Sequence, residues 1–214
     1  MYYKNAWLKI YDQKVLYFPK FFHPDPTVKR QSGFLIPSFS SSKNLGDSIN
    51  IPYFKVVSDN KDLTIKPRLY LNNKLLAQTE YRQVGKNYNH SMDLSILAES
   101  DNSNRSHFFS KTKKDLSLNL FDDSDITIDV QQVSNDSYLK SYKLNSPLIE
   151  NNNILTSSIL FNGFNDDLIF DTEFTVYEDL SKKNNDRYEV IFPSYNLTKQ
   201  IRTKNNLKGS FEFI

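Results

Sequence analysis

Alternation of apolar and polar residues with a period of two runs through most of the chain, and it constrains the fold more than any other feature. It is cleanest at residues 116–120, 126–130 and 170–176. Successive side chains of a β-strand point to opposite faces, so each segment predicts a strand with one apolar side. No stretch of helical length shows a 3.6-residue period. The sequence therefore predicts an all-β, antiparallel fold.

Less regular alternation elsewhere in the chain raises the number of predicted strands to about eleven. Besides the three clean segments, strands are expected to start near Gly33, Asp47 and Leu207 and to occupy residues 63–71, 75–84, 88–98, 154–163 and 188–201. A strand-like start at residues 6–10 and an alternating end at residues 210–214 would leave both edges unpaired. We therefore expect a partial reading frame with Met1 as an internal methionine.

The predicted connectors alternate in length. Tight turns are expected at residues 58–61, 85–87, 121–125 and 165–167, and long connectors at 99–109, 134–153 and 178–187, with the short connector 72–74 as an exception. Short turns at one end and long loops at the other are typical of transmembrane β-barrels, whose short turns are periplasmic. The residues before Gly33 fall on the short-turn side.

A soluble antiparallel sandwich also alternates, with its apolar face in a core, so the pattern leaves both folds open. In a barrel the apolar residues would face lipid, and charged residues of the opposite face would line a wet lumen. These lumen residues would be Lys66, Arg68, Glu80, Arg82, Asp129, Asp171 and Glu173.

Composition excludes several function classes. The 214 residues carry a net charge of only +2, which does not indicate a nucleic-acid partner. The chain has no cysteine and therefore neither a disulfide nor a thiolate metal site. No run approaches the roughly 20 apolar residues of a membrane helix, and no signal peptide follows Met1.

No catalytic constellation is evident. His23, His90 and His107 are scattered and lack the spacing of a metal or general-base site. The acidic run at residues 122–125 lacks the glycine and glutamate of a calcium loop and is interpreted as a turn. We expect no enzyme activity, no cofactor and no metal.

Prolines mark the N-terminal quarter. Pro19, Pro24 and Pro26 are expected to keep residues 18–27 extended and irregular, because proline fixes φ and lacks an N–H. Pro37 lies in an apolar run that otherwise predicts a buried strand, and Pro52 repeats the arrangement fifteen positions later. Two neighbouring strands would then each lack a hydrogen-bond donor.

Four blocks of sequence resemble the LptD family of outer-membrane lipopolysaccharide assembly proteins. They are HPDPTVKRQSGFLIPSF from His23, IPYFKVVSDNKDLTIKPRLY from Ile51, EYR from Glu80 and VSNDSYLKSY from Val133. The resemblance covers roughly residues 3–142. It implies a fragment of a large transmembrane β-barrel preceded by the tail of a periplasmic β-jellyroll domain, with residues 1–32 as that tail and junction and 33–214 as the first barrel strands.

The same resemblance implies a function. The family's barrel opens laterally to insert lipopolysaccharide into the outer leaflet, with the N-terminal residues in the periplasm. The implied partners are lipopolysaccharide, outer-membrane lipid, the plug lipoprotein LptE and the periplasmic bridge protein LptA.

The resemblance also assigns a role to two residues, and the position of a basic pair suggests a role for two more. Pro37 and Pro52 match the family's lateral-gate prolines, although each proline in isolation is compatible with a simple strand end. Lys29 and Arg30 lie where anionic headgroups would meet the barrel mouth, although a solvated basic pair is the simpler interpretation. A soluble carbohydrate-binding sandwich and a passive porin-like channel remain the alternative functions.

Overall fold

The computed structural model describes residues 2–10, 12–22, 30–99, 105–202 and 208–213. Strand β1 (Tyr2–Ile10) pairs antiparallel with β2 (Gln13–Phe22) in a separate two-stranded sheet. No helix among the described residues has the length and apolarity needed to cross a membrane.

All other strands of the described ranges belong to one thirteen-stranded sheet. In chain order they are β3 (Gly33–Phe34), β4 (Ser38–Ser42), β5 (Gly46–Asn50), β6 (Tyr53–Ser58), β7 (Lys61–Tyr70), β8 (Leu75–Val84), β9 (Tyr88–Ala98), β10 (Arg105–Asp115), β11 (Asp123–Val133), β12 (Ile154–Phe164), β13 (Leu168–Asp179), β14 (Tyr188–Arg202) and β15 (Lys208–Phe213). Helix α1 (Tyr138–Ser141) and a 3-10 turn (Asn184–Arg187) interrupt the connectors.

Strands β7 to β15 each pair antiparallel with the next strand in sequence, as in a meander. At the N-terminal edge, β3 and β4 pair with β6 and β5 respectively, and both β5 and β6 pair with β7. Strands β3 and β4 are thus two parts of one strand, and β5 and β6 are two parts of the next. Together they form a hairpin, here named the edge hairpin, whose two strands are each interrupted once. Counted in this way the sheet has eleven strands, as the alternation predicts. The sheet is open, so the structure confirms the all-β antiparallel class but not a closed barrel.

Most predicted strands are confirmed, and β8 and β9 have the predicted bounds. The strand predicted at residues 116–120 is wrong. That segment is the turn after β10, with Ser117 at a φ of 49° and a Phe121 N to Leu118 O hydrogen bond of 3.0 Å. The strand instead occupies residues 105–115, which include the last five residues of the predicted long connector. Polar residues lie on both faces of this strand, so its sequence does not alternate clearly. Backbone pairing with β9 and β11 is what makes it a strand.

The irregular segment predicted at residues 18–27 is also partly wrong. Residues 18–22 continue β2, which pairs with β1 as far as the Tyr2–Phe22 pair. A two-stranded sheet has only edge strands, where proline is tolerated, so Pro19 does not end the strand. Pro24 and Pro26 lie outside the described residues.

The two faces of the large sheet differ in polarity. Residues that oppose one another across an antiparallel ladder share a face. The register puts all seven charged residues predicted for the lumen on one face, here named the polar face. The opposite, apolar face keeps many large side chains exposed, including Ile96 at 52%, Ile159 at 48% and Phe174 at 38%.

A connector supplies the core. Residues 134–153, here named the strap, join β11 to β12 and include α1. Tyr138, Leu139, Tyr142 and Leu144 of the strap are buried in one cluster with sheet residues Tyr70, Leu76, Leu97, Phe109, Val133 and Leu155, and with Leu180, which directly follows β13. The hydrophobic core thus lies between the strap and the sheet.

Truncation of the strap's buried leucine tests this core. Leu139 is fully buried, so Leu139→Ala is expected to lower the free energy of unfolding by about 2–5 kcal/mol through lost transfer energy and a residual cavity. Leu120→Ala, at a turn residue that is 63% exposed, is the matched control and should stay within about 0.5 kcal/mol. Urea unfolding followed by circular dichroism measures both, and equal shifts for the two variants would contradict the packed strap.

Candidate functional site

The N-terminal edge hairpin contains both predicted prolines at its interruptions. Pro37 lies between β3 and β4, and Pro52 lies between β5 and β6. The ladders pair Phe34 with Tyr53 on one side of the break and Ser38 with Asn50 on the other. Three residues of one strand thus oppose two of the other, which is the geometry of a bulge. The prolines are brought together in adjacent strands, one of which is the edge of the sheet.

Backbone hydrogen bonds at the break are incomplete. Leu35 N donates to Pro52 O at 2.8 Å, and Ile51 N donates to Pro67 O at 3.2 Å. In an antiparallel ladder such residues exchange two bonds. Proline has no N–H, so neither Pro52 nor Pro67 returns the second bond. Ile51 and Pro52 are consecutive, and each therefore takes part in only one of the two bonds of its pair. Ile51 is bonded to β7 on one side, and Pro52 is bonded to the edge strand on the other.

A buried polar atom accompanies the break. Asn50 Oδ1 is buried and has no hydrogen-bond partner among the described residues. An unsatisfied buried acceptor costs about 1–3 kcal/mol, so it adds to the local weakness of the ladder.

Arg30 is held by the sheet. Its guanidinium forms an ion pair with Asp62 of β7 and lies 5.9 Å from the ring centroid of Phe54. Asp62 also accepts from Arg82 Nε at 2.8 Å and is itself 4% exposed. The predicted headgroup residue therefore joins the junction to the first continuous strand. Lys29 lies outside the described residues.

Charges on the polar face are paired across strands. Lys66 bonds Glu80, Lys111 Nζ lies 3.4 Å from Asp129, and Lys113 Nζ lies 3.5 Å from Asp125. Such cross-strand pairs of opposite charge stabilise the ladders that they span. The arrangement gives the polar face a mixed, hydrated character without a cluster of one sign.

The strap is fixed to the polar face through its carbonyl oxygens. Three side chains from three strands donate to them: Arg68 Nη1 to Tyr142 O at 2.7 Å, Gln78 Nε2 to Asn145 O at 3.0 Å and Gln131 Nε2 to Leu148 O at 3.1 Å. The strap thus crosses the sheet from β11 as far as β7. This crossing satisfies loop carbonyls that would otherwise be buried without partners.

A buried polar cluster lies beneath α1. His107 Nε2 is 3.3 Å from Asp93 Oδ1, and Ser95 Oγ contacts both His107 Nδ1 at 2.6 Å and the Tyr138 hydroxyl at 2.7 Å. These residues are almost fully buried, and the serine oxygen is engaged with the strap. The cluster therefore anchors the strap and presents no accessible nucleophile. Among the described residues, no group of three or more acidic, histidine or cysteine side chains forms a metal site.

The two strap tyrosines are weakened acids. Burial raises the pKa of Tyr138 to about 12. Burial, and then the hydrogen bond to the Glu99 carboxylate at 2.5 Å, raise the pKa of Tyr142 above its ordinary value. Both phenols stay neutral and keep their hydrogen bonds at physiological pH.

Sequence reasoning missed several of these contacts. Nothing in residues 134–153 distinguishes a docked strap from a solvated loop. The partner of Arg30 was not predicted, because Asp62 is thirty-two positions away. Pro67 was also missed, although its spacing of fifteen from Pro52 repeats the spacing of Pro52 from Pro37.

These features define a class: an antiparallel all-β protein in which one very large sheet exposes its apolar face and covers its polar face with its own loop. A model of the LptD protein family matches residues 2–209. The chain belongs to the LptD family.

Individual relatives agree. The "LPS-assembly protein LptD" of Pseudoalteromonas translucida (strain TAC 125) is 36% identical over 139 residues, which are 63% of this chain and 18% of that protein. The protein of the same name from Cupriavidus pinatubonensis (strain JMP 134 / LMG 1197) is 31% identical over 134 residues, 61% of this chain and 16% of that protein. The chain thus spans less than a fifth of the length of these curated relatives.

The sequence resemblance is therefore confirmed. The family consists of outer-membrane proteins, which confirms the predicted location in the outer membrane. It is not a family of enzymes, which confirms that prediction as well. The roles of Pro37, Pro52, Lys29 and Arg30 stay predictions.

The raised pKa of Tyr138 predicts that docking of the strap depends on pH. Below pH 10 the phenol is neutral whether docked or not. Between the ordinary pKa of 10.0 and about 12 the undocked phenol ionises and the docked one does not, so docking weakens as pH rises. A spin label at Lys140→Cys should become mobile over this range, and Tyr138→Phe should reduce the pH dependence. An unchanged pH profile in Tyr138→Phe would contradict the assignment.

Proposed function

We propose that the chain is part of an outer-membrane β-barrel that inserts lipopolysaccharide into the outer leaflet by opening laterally at its N-terminal strands. Membership of the LptD family carries this proposal. The whole protein performs the export, and this chain contributes the edge where the wall opens.

The polarity of the sheet supports a barrel wall. Lipid-facing side chains of such a wall are apolar, and lumen-facing ones are polar. The exposed apolar face would contact acyl chains, and the polar face with its paired charges would line the lumen. The sandwich alternative requires the apolar face to be buried in a core, and exposures such as 48% for Ile159 count against it.

The order of elements supports the expected domain division. Residues 1–32 would be the end of the periplasmic β-jellyroll domain, of which β1 and β2 form a hairpin, and residues 33–214 would be the first strands of a large barrel. The two-residue turn between β6 and β7 and the three-residue turn between β8 and β9 lie at the end of the sheet where β3 starts. The twenty-residue strap lies at the opposite end, which would face the cell exterior.

The weakened edge hairpin supports a lateral gate. Pro37 and Pro52 interrupt its two strands, and the half-bonded pair of Leu35 with Pro52 joins them. Acyl chains of the lipopolysaccharide would pass between the edge strand and the last strand of the complete barrel, while the sugars cross the lumen. A passive porin-like channel needs no such weak edge.

Partners follow from the same proposal. The lumen would hold the lipoprotein LptE, and the upstream jellyroll would join the bridge protein LptA. Lys29 and Arg30 would meet anionic headgroups beside the gate. Because Asp62 already pairs with Arg30, a phosphate would compete with this carboxylate for the guanidinium.

Replacement of both gate prolines tests the export function. Pro37→Ala/Pro52→Ala restores two N–H groups at the edge, and the one at position 52, which can bond Leu35 O, is expected to reduce opening about fivefold, from a net strength near 1 kcal/mol. Surface lipopolysaccharide appearing after a pulse label, in cells that depend on the full-length variant, measures export. Pro193→Ala is the control, because Pro193 lies in β14 at a register shift away from the edge. Wild-type export by the correctly inserted double variant would refute the gate role.

Arginine substitutions on the two faces test the barrel wall. Ile159→Arg, on the apolar face near the middle of β12, is expected to lower the stability of the inserted protein by about 2–4 kcal/mol. Asn162→Arg, on the polar face beside Asp125 and Asp171, should be tolerated. Urea unfolding of the protein inserted in lipid vesicles compares them. Equal stability of the two variants would contradict the barrel wall, because the apolar face would then not contact lipid.

A further inference from the structure

A third proline continues the break into the first continuous strand. Pro67 of β7 lies opposite Ile51 in the register that β5 and β6 share with β7. Ile51 N donates to Pro67 O at 3.2 Å, so the carbonyl of Pro67 points to the edge hairpin and its nitrogen does too. The absent N–H of Pro67 is therefore a bond missing between the hairpin and β7.

The missing bonds lie on one line across the sheet. Pro37 lies between the two ladders of the edge hairpin and belongs to neither. The pair of Pro52 with Leu35 and the pair of Pro67 with Ile51 each have one backbone hydrogen bond instead of two. Both sides of the line keep regular pairs, from Ser48 to Asn50 above it and from Tyr53 to Val56 below it. The line ends at the Ile51–Pro67 pair, so it also weakens the ladder that holds the edge hairpin to β7.

Strand β7 itself is firmly attached to the rest of the sheet. It pairs with β8 without a register shift from Lys61–Gln83 to Leu69–Leu75. On either side of Pro67, Lys66 bonds Glu80 of β8 and Arg68 donates to the strap carbonyl of Tyr142. These anchors fix β7 to the wall, so the change from rigid to weakly held structure falls between β7 and the edge hairpin.

We propose that β3 to β6 form a two-stranded flap that swings relative to β7, and that Pro67 is a positioning residue of its hinge. This inference rests on the proposed function and adds the moving unit to it. Displacing a hairpin rather than one strand opens two strand spacings, about 10 Å of wall. Such a gap suits a lipid that carries several acyl chains better than a gap of one strand.

A reversible lock between the flap and β7 tests the motion. Phe54 and Thr64 are opposite each other in a pair that exchanges no backbone bonds, since its neighbours Tyr53–Ile65 and Lys55–Leu63 are in phase with Ile51–Pro67. The Cα atoms of such pairs are about 4.5 Å apart, which suits a disulfide. The chain has no cysteine of its own. Phe54→Cys/Thr64→Cys in the full-length protein should stop export when oxidised and restore it on reduction.

The control lock joins two strands of the fixed wall. Ser158→Cys/Thr175→Cys links β12 to β13 at an equivalent pair and should leave export unchanged in both redox states. Normal export with the oxidised Phe54–Thr64 lock would overturn the flap, because it would show that opening needs no movement between β6 and β7. Loss of export with both locks would overturn it too, since the effect would not be specific to the hinge.

Hydrogen exchange tests Pro67 without reference to export. Pro67→Ala restores the donor to Ile51 O, so the amides of Ile51 and its neighbours in β5 and β6 should exchange about fivefold more slowly. Pro193→Ala should leave these rates unchanged. If exchange in the flap is the same in Pro67→Ala and wild type, Pro67 is not part of the hinge. If exchange slows but the unlocked protein exports no lipopolysaccharide, the proposed function fails and the hinge stands.

Discussion

Backbone hydrogen bonding between strands is the constraint on which the whole molecule depends. A strand in a single sheet has no other source of partners for its N–H and C=O groups, and in lipid each unpaired group costs several kcal/mol. From β7 to β13 the ladders meet this requirement with regular antiparallel pairs. At the N-terminal edge three prolines violate it at neighbouring positions. The contrast separates a rigid wall from a weak edge within one sheet.

The distribution of polarity follows from the same architecture. A single sheet has two faces, and here the polar one is partly closed by the strap. The strap brings two leucines and two tyrosines to a core that the sheet supplies from six positions, such as Leu76 and Leu97. Its carbonyls are paired with side chains of β7, β8 and β11. The strap therefore stiffens the strands that the proposed gate requires to stay fixed.

Sequence alone predicts the strands whose two faces differ most. The bounds of β8 and β9 are predicted to the residue, because Leu75 to Val84 and Tyr88 to Ala98 alternate between clear turn signals. Strand β10 is missed because serine, threonine and lysine occupy much of its apolar side, and only pairing with both neighbours makes it a strand. The run at residues 116–120 alternates equally well but has no ladder to join.

The candidate site likewise has one part that the sequence predicts and another that it does not. Pro37 and Pro52 are visible in the sequence because a proline within an apolar run contradicts a central strand. The pairing of Arg30 with Asp62 and the docking of the strap are not visible, since both depend on contacts between distant segments. Local patterns predict where a ladder breaks, whereas the partners that fix the adjoining wall become evident only from the fold.

The size of the break matters for gating. Of the two half-made pairs, only Ile51–Pro67 joins the flap to β7. It removes about 1 kcal/mol of ladder strength, which raises the population of an open flap about fivefold. The flap nevertheless keeps regular pairs with β7 on both sides of the line, so these remaining bonds hold it closed when no cargo is present. The free energy for opening must therefore come mainly from a ligand that binds the open state better than the closed one. A lipid whose acyl chains fill the gap supplies such a difference, because it buries apolar surface only when the flap has moved.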